Sequence, residues 1–174
     1  MLGLPLVVSP AADHTICAAY ADYLHAQKGF DWSYTYGGAR WELGSSRLYG
    51  VNVWRAATAH LVRVKNPTAD DWIFDFVAGR RKVDCKAAEP LASGYPPSLI
   101  VPEPHAGIDY LLGNCTTAFP GKNDSARDLT FKIGGWRSGD DPIWKPCPFN
   151  GPTKDKPWVP AADLLPFIDH VGLV

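Results

Sequence analysis

The chain has 174 residues, 46% hydrophobic and 20% charged, which bounds it to one domain with its own core and excludes a disordered chain. Glycine and proline, 16 of each, predict many loops within that folded domain. A net charge of −1 excludes a protein that coats nucleic acid through overall basic charge, but not one that grips phosphates with a few local cations.

The opening LGLPLVV is apolar but short, holds Pro5 and has no preceding Lys or Arg, so it does not read as a secretory signal. No stretch approaches the ~20 apolar residues of a membrane span. A soluble cytoplasmic protein without a membrane partner is expected. Over residues 15 to 27, Ile16, Tyr20, Tyr23 and Leu24 recur at helical spacing, with Asp13 or Thr15 to cap the start and Gly29 suited to the end. This predicts a helix whose solvated face holds Asp22, His25 and Lys28. Residues 29 to 50 are rich in glycine and aromatics without a clean period, and predict turns with a short helix near 42 to 48. Alternation over 57 to 64 predicts a strand, ended by Asn66-Pro67.

Residues 72 to 77 and 82 to 86 are two β-favouring runs, and Gly79-Arg80 between them has the form of a two-residue hairpin turn. With that turn, Ala78 pairs with Arg81, Val77 with Lys82, Phe76 with Val83, Asp75 with Asp84, and Ile73 with Lys86. Asp75, Asp84 and Lys86 then share one face, while Phe74, Phe76, Val83 and Cys85 fill the other. Carboxylates opposed at roughly 5 Å between Cβ atoms repel each other. A hard divalent cation would hold them, because carboxylate oxygens are its preferred ligands; the plainer alternative is a surface hairpin with solvated acids.

Further along, a proline- and glycine-rich link leads to a short strand at 98 to 101. Strands are predicted at 108 to 112 and 129 to 133, the second closed by Gly134-Gly135. Pro142, Pro146, Pro148, Pro152, Pro157 and Pro160 exclude regular structure over 136 to 160. Trp136, Trp144, Phe149 and Trp158 between them predict a loop packed on the body. Residues 161 to 168 read as one or two helical turns docking Leu164, Leu165 and Phe167. The cysteines Cys17, Cys85, Cys115 and Cys147 include no C-x-x-C pair, so free thiols are expected.

Asp75 followed by Asp84-Cys85-Lys86, with eight residues between the acids, resembles the D-x(n)-(D/E)-x-K signature of the PD-(D/E)XK nuclease superfamily. The predicted order of helix, antiparallel meander bearing the signature and further strands is also similar, over residues 14 to 135. Three features depart from the pattern: Phe74 replaces proline, the middle acid is aspartate, and no helix is evident over 90 to 107.

The resemblance implies an α/β (α+β) fold in a single domain, residues 1–174. Its restriction-endonuclease-like core, about 14–135, has a mixed central sheet and an N-terminal helix, with a Pro/Trp-rich extension, 136–174, packed on it. It implies phosphodiester hydrolysis in nucleic acid, most simply by a DNA endonuclease dependent on Mg²⁺ or Mn²⁺. Asp75, Asp84 and the Cys85 backbone carbonyl would hold the metal, and Lys86 would stand beside the attacking water. Many members supply another acid from the first helix. Here that helix has no glutamate, so Glu42, the only Glu ahead of the hairpin, is the provisional fourth residue, with Asp22 behind it.

Arg80, Arg81 and Lys82 at the turn are candidates for nucleic-acid backbone contact. Tyr34, Tyr36, Trp41 and Trp54 are candidates for base stacking, and His60 for a neighbour of the site, with a core position the plainer reading of each. A homodimer is compatible with cutting two strands. Two alternatives compete: an inactive binding module of the same fold, and a β-rich interaction protein with a chance signature.

Overall fold

A computed structural model describes residues 6–51 and 73–174; the strand predicted over 57 to 64, with Trp54 and His60, lies outside them. The fold is mixed α+β. Helix α1 (His14–Lys28) buries Cys17, Ala21 and Leu24, a stripe at helical spacing. It ends as expected at Gly29, whose φ of 68° is left-handed and whose N–H returns to His25 O.

The predicted turns of 29 to 50 are instead a continuous helix, α2 (Trp32–Leu48). Asp31 starts it by accepting a hydrogen bond from Tyr34 N at 2.9 Å. Every residue from Ala39 to Ser46 is buried, so this stretch of the helix is enclosed on all sides and its sequence has no reason to alternate apolar with polar. Its glycines permit close approach: a Cβ on Gly37 would lie 2.4 Å from the Phe119 ring.

The polar residues of α2 are satisfied internally. Arg40 donates from Nε to Ser9 Oγ at 2.6 Å and from Nη2 to the carbonyls of Pro10 and Arg127 at 3.1 and 2.8 Å. Arg47 forms a bidentate pair with Asp13 at 2.7 and 2.6 Å. Burial works to raise the Asp13 pKa, but hydrogen bonds from Arg47 and Ser9 outweigh it and hold the carboxyl below its usual range.

Strands β1 (Val7–Ser9), β2 (Phe76–Ala78), β3 (Arg81–Ala88), β5 (Ile108–Cys115) and β6 (Leu129–Ser138) form one sheet, in the order β1-β6-β5-β3-β2. The β3–β5 pair is parallel and the others antiparallel. A parallel pair needs a long crossover, usually helical. Here the crossover runs through β4 (Leu99–Ile100), which joins β7 (Lys145–Pro146) and β8 (Pro157–Val159) in a second sheet, ordered β4-β8-β7.

The prolines of 136 to 160 therefore do not exclude regular structure. Pro146 and Pro157 face each other at the end of the β7–β8 ladder, where a missing N–H costs little. Likewise β6 is not closed by Gly134-Gly135: it continues to Ser138, with a register irregularity opposite them at Leu112/Gly113.

One apolar cluster fills the space between the helices and the main sheet, around Trp41, Val83, Leu111 and Phe131. A second lies around Leu99, Tyr110, Leu112 and Val159, between the two sheets. The main sheet is thus covered on both faces, which is why six consecutive residues of β5 are buried. After a 3-10 turn (Ala161–Asp163), helix α3 (Phe167–Val171) docks Phe167 into the first cluster as expected. All four cysteines are free, and no helix among the described residues is long and apolar enough to cross a membrane.

A Cβ on Gly113 would lie 2.2 Å from the fully buried Trp41 ring. Gly113→Ala is expected to destabilise the fold by about 1–3 kcal/mol through overpacking, read as a lower urea midpoint with an unchanged m-value. A midpoint at or above wild type would show that the indole has room to move.

Candidate functional site

The hairpin closes through Gly79, with φ 60°. Phe76 pairs with Val83, Val77 with Lys82 and Ala78 with Arg81, the predicted register. The ladder then stops. Asp75 donates its N–H to Val83 O at 2.8 Å, and the expected pairing of Ile73 with Lys86 does not form because β2 begins only at Phe76. Ile73 and Phe74 pack against the second cluster instead, so Phe74 does not join Phe76, Val83 and Cys85 on the first.

Past Val83, β3 keeps β5 on one side and has no strand partner on the other among the described residues. Asp75 supplies the missing acceptor, its Oδ2 taking the Cys85 N–H at 2.6 Å. The N–H and C=O of a strand residue point to the same side, so the Cys85 carbonyl faces the same edge. Asp84 and Lys86 alternate to the opposite face from Val83 and Cys85, and Lys86 Nζ lies 2.7 Å from Asp84 Oδ2. The Asp75 carboxyl is also near enough to Asp84 to act on its titration. The three predicted residues are gathered.

Glu42 joins them from α2. It is 6% exposed and lines, with Asp75, Asp84, Cys85 and Lys86, a cleft of about 230 Å³ whose far wall includes Tyr20 of α1 and Tyr34 of α2. Asp22 is engaged elsewhere, with Trp32 Nε1 and Lys122, each at 2.9 Å. Of the stacking candidates, Tyr36 and Trp41 are fully buried in the core, while Tyr34 is 59% exposed at the cleft. At the turn, Arg80 and Lys82 are exposed. Arg81 instead makes a bidentate pair with the buried Asp109 at 2.7 and 2.8 Å. Tyr20 as a wall residue was missed by the sequence reading, because it also fits the apolar stripe of α1.

Burial, and then the neighbouring Asp75 charge, push the Asp84 pKa up to about 7 despite Lys86. For Lys86, burial works downward, but the charges of Asp84 and Asp75 outweigh it and the pKa is raised. Lys86 is therefore an ammonium, suited to stabilising negative charge rather than accepting a proton. The Cys85 thiol is pushed well above its ordinary range, first by burial and then by Asp75. With its Sγ 3.2 Å from Ser45 Oγ, it is not poised as a nucleophile.

Among the described residues no group of three or more His, Cys, Asp and Glu side chains is placed to hold a metal ion. Asp75, Asp84 and the Cys85 carbonyl nevertheless form an all-oxygen set that suits Mg²⁺, which takes one or two carboxylates from a protein and keeps water and phosphate oxygens for its other positions. Burial and the Asp75 charge both disfavour the Asp84 carboxylate, and a cation between the acids would offset both.

Because the folded pKa of Asp84 lies above its ordinary 3.8, the native state binds more protons than the unfolded one between those values. This group's contribution to stability is full below about 3.8 and is lost as pH rises through about 7. An NMR titration of the carboxyl carbons is expected to place the Asp84 midpoint near 7, and Asp75→Asn to move it downward. A midpoint unmoved by Asp75→Asn would show that the two acids do not interact. No protein-family model, curated protein or solved structure matches the chain.

Proposed function

We propose that this chain hydrolyses phosphodiester bonds in nucleic acid, with DNA as the first candidate substrate, as a restriction-endonuclease-like nuclease of the cytoplasm. The observation that supports this most is convergence. Glu42 from α2, Asp75 from just ahead of β2, and Asp84 and Lys86 from β3 line one cleft, although Glu42 is distant in sequence from the other three and the four are costly to bury together.

Asp75, Asp84 and the Cys85 carbonyl would hold Mg²⁺ or Mn²⁺, which when bound polarises the phosphate and acidifies a water. Lys86, kept protonated by its two acidic neighbours, faces the charge that develops on the phosphate oxygens. Glu42 on the α2 wall of the cleft would orient the attacking water. Arg80 and Lys82 meet the backbone from the turn, and Tyr34 offers a ring for an adjacent base. Arg81, tied to Asp109, braces the hairpin. A homodimer would bring two such clefts to a duplex.

A second reading, nucleic-acid binding without cutting, draws on the absence of a three-ligand group among the described residues. Plasmid relaxation with Mg²⁺ or Mn²⁺ separates the two. Wild type is expected to nick, EDTA to stop it, and Asp84→Ala and Lys86→Ala each to lower the rate at least ~10²-fold. The Mg²⁺-supported rate should rise between pH 6 and 8, because the cation must displace the Asp84 proton held up to about pH 7. Equal cutting by both variants excludes this site; no cutting with retained DNA binding selects the second reading.

A further inference from the structure

The charged residues of the candidate site lie at the floor of their cleft. Glu42 is 6% exposed, and the side chains of Asp84 and Lys86 are 14% and 30% exposed. The lining residues that reach furthest into solvent are aromatic: Phe30 at 45% and Tyr34 at 59%. The cleft volume of about 230 Å³ is below the roughly 300 Å³ at which drug-sized sites begin. It admits part of one strand and not the width of a duplex. Among the described residues that line it, Lys86 is the sole cation, beside the acids Glu42, Asp75 and Asp84.

Tyr34 is held at the mouth by contacts from distant parts of the chain. Gly37, almost one turn further along α2, leaves room for the Phe119 ring. That ring meets Tyr34 edge-to-face, with centroids 5.5 Å apart and planes at 83°. Glu89, just past β3, ties the two together: its Oε1 accepts the Phe119 N–H at 2.7 Å and its Oε2 accepts the Tyr34 hydroxyl at 3.2 Å. A bare surface tyrosine rotates among staggered rotamers. Contacts at its hydroxyl and its ring fix this one, with more than half of its surface still open to solvent, which is how a binding group is held ready for its ligand.

We infer that the cleft takes an unpaired DNA strand, with Tyr34 stacking on the base beside the phosphate that reaches Asp84 and Lys86, and with Glu89 and Phe119 positioning the ring. This rests on the proposed hydrolysis for the placement of the phosphate. A base within a duplex is paired and stacked, and meets such a ring only after leaving the helix. In a single strand the base is already free, and every base has a face to stack. With one cation in the lining, stacking supplies affinity that a duplex-binding surface draws from many phosphate contacts.

A short fluorescein-labelled DNA of mixed sequence tests this as a single strand and annealed to its complement. Binding is read by anisotropy in Ca²⁺, a hard cation for the carboxylates, and cutting in Mg²⁺. The single strand is expected to bind at least ~10-fold more tightly than the duplex, which must first release a base, and to be cut faster. Tyr34→Ala should weaken single-strand binding about tenfold, the loss of one stacked base, and Tyr34→Phe, which keeps the ring, should weaken it less. Glu89→Ala should weaken it in the wild-type background and add nothing to Tyr34→Ala, a non-additivity that a role in folding alone does not produce. Tyr34 lies largely in solvent, so its variants test the site even if Glu89→Ala fails to fold. Equal or tighter binding of the duplex overturns the inference and leaves the hydrolysis standing, as does an unchanged single-strand affinity in Tyr34→Ala. The expected binding pattern without cutting sustains the strand assignment and overturns the hydrolysis. Neither binding nor cutting of either form overturns both.

Discussion

The arrangement of this protein depends on a guanidinium with no exposed surface. Arg40 is fully buried, and burying an ion is tolerable only when its donors are all met. They are met by backbone carbonyls at the end of β1 and ahead of β6, and by the Ser9 and Tyr36 hydroxyls. Ser9 Oγ in turn donates to Asp13 at 2.7 Å, which carries the counter-charge one hydrogen bond away. Because these acceptors belong to three different parts of the chain, α2 can neither roll nor slide without stranding a charge. Glu42 follows two residues later, roughly 200° round the helix. The contacts that turn Arg40 towards β1 thereby turn Glu42 towards the cleft at β3.

A second buried network holds the other end of β3. Arg81 and His170 share the carboxylate of Asp109, and Tyr49 OH lies 2.6 Å from His170 Nδ1. This ties the hairpin, β5, the end of α2 and α3 together at one point. Burial works to raise the Asp109 pKa, yet the hydrogen bonds from His170 and Arg81 keep it below the ordinary range. With one end of β3 anchored in this way and its middle paired to β5, the free edge from Asp84 onward is rigid without a strand to cover it among the described residues. A site on a strand so braced is held more tightly than one on a loop.

The sequence made the hairpin legible because turn chemistry and alternation agree: glycine at a left-handed position fixes the register, and register fixes which side chains share a face. Helix α1 was legible for the same kind of reason, one apolar stripe and a glycine stop. Helix α2 was not, since its stretch from Ala39 to Ser46 is enclosed all round and has no solvent-facing residues to mark the period, and Gly37 and Gly44, which read as turns, admit Phe119 and Val7. The small sheet was hidden by prolines that occupy ladder ends, and the length of β6 by a glycine pair that marks an irregularity rather than a stop. Glu42 was found by elimination, as the only glutamate ahead of the hairpin. Nothing local in the sequence showed that Arg81 would turn away from solvent to Asp109, because that contact spans 28 residues.

The charges at the cleft also constrain what its residues can do. Asp75 lies close enough to Asp84 to raise that carboxyl's affinity for a positive charge, and that charge arrives as a proton, as the Lys86 ammonium, or as a metal ion. Proton and metal compete for the same oxygens of Asp84, whereas Lys86 approaches from its own position on β3 and is stabilised by both acids. Both acids favour its charged form. In the proposed hydrolysis a charged Lys86 would serve the phosphate oxygens rather than accept the water's proton. The proton must then pass to Glu42 or to solvent. If Glu42 takes it, the two walls of the cleft would have separate roles, with positive charge directed at the phosphate from β3 and the proton taken up on the α2 side.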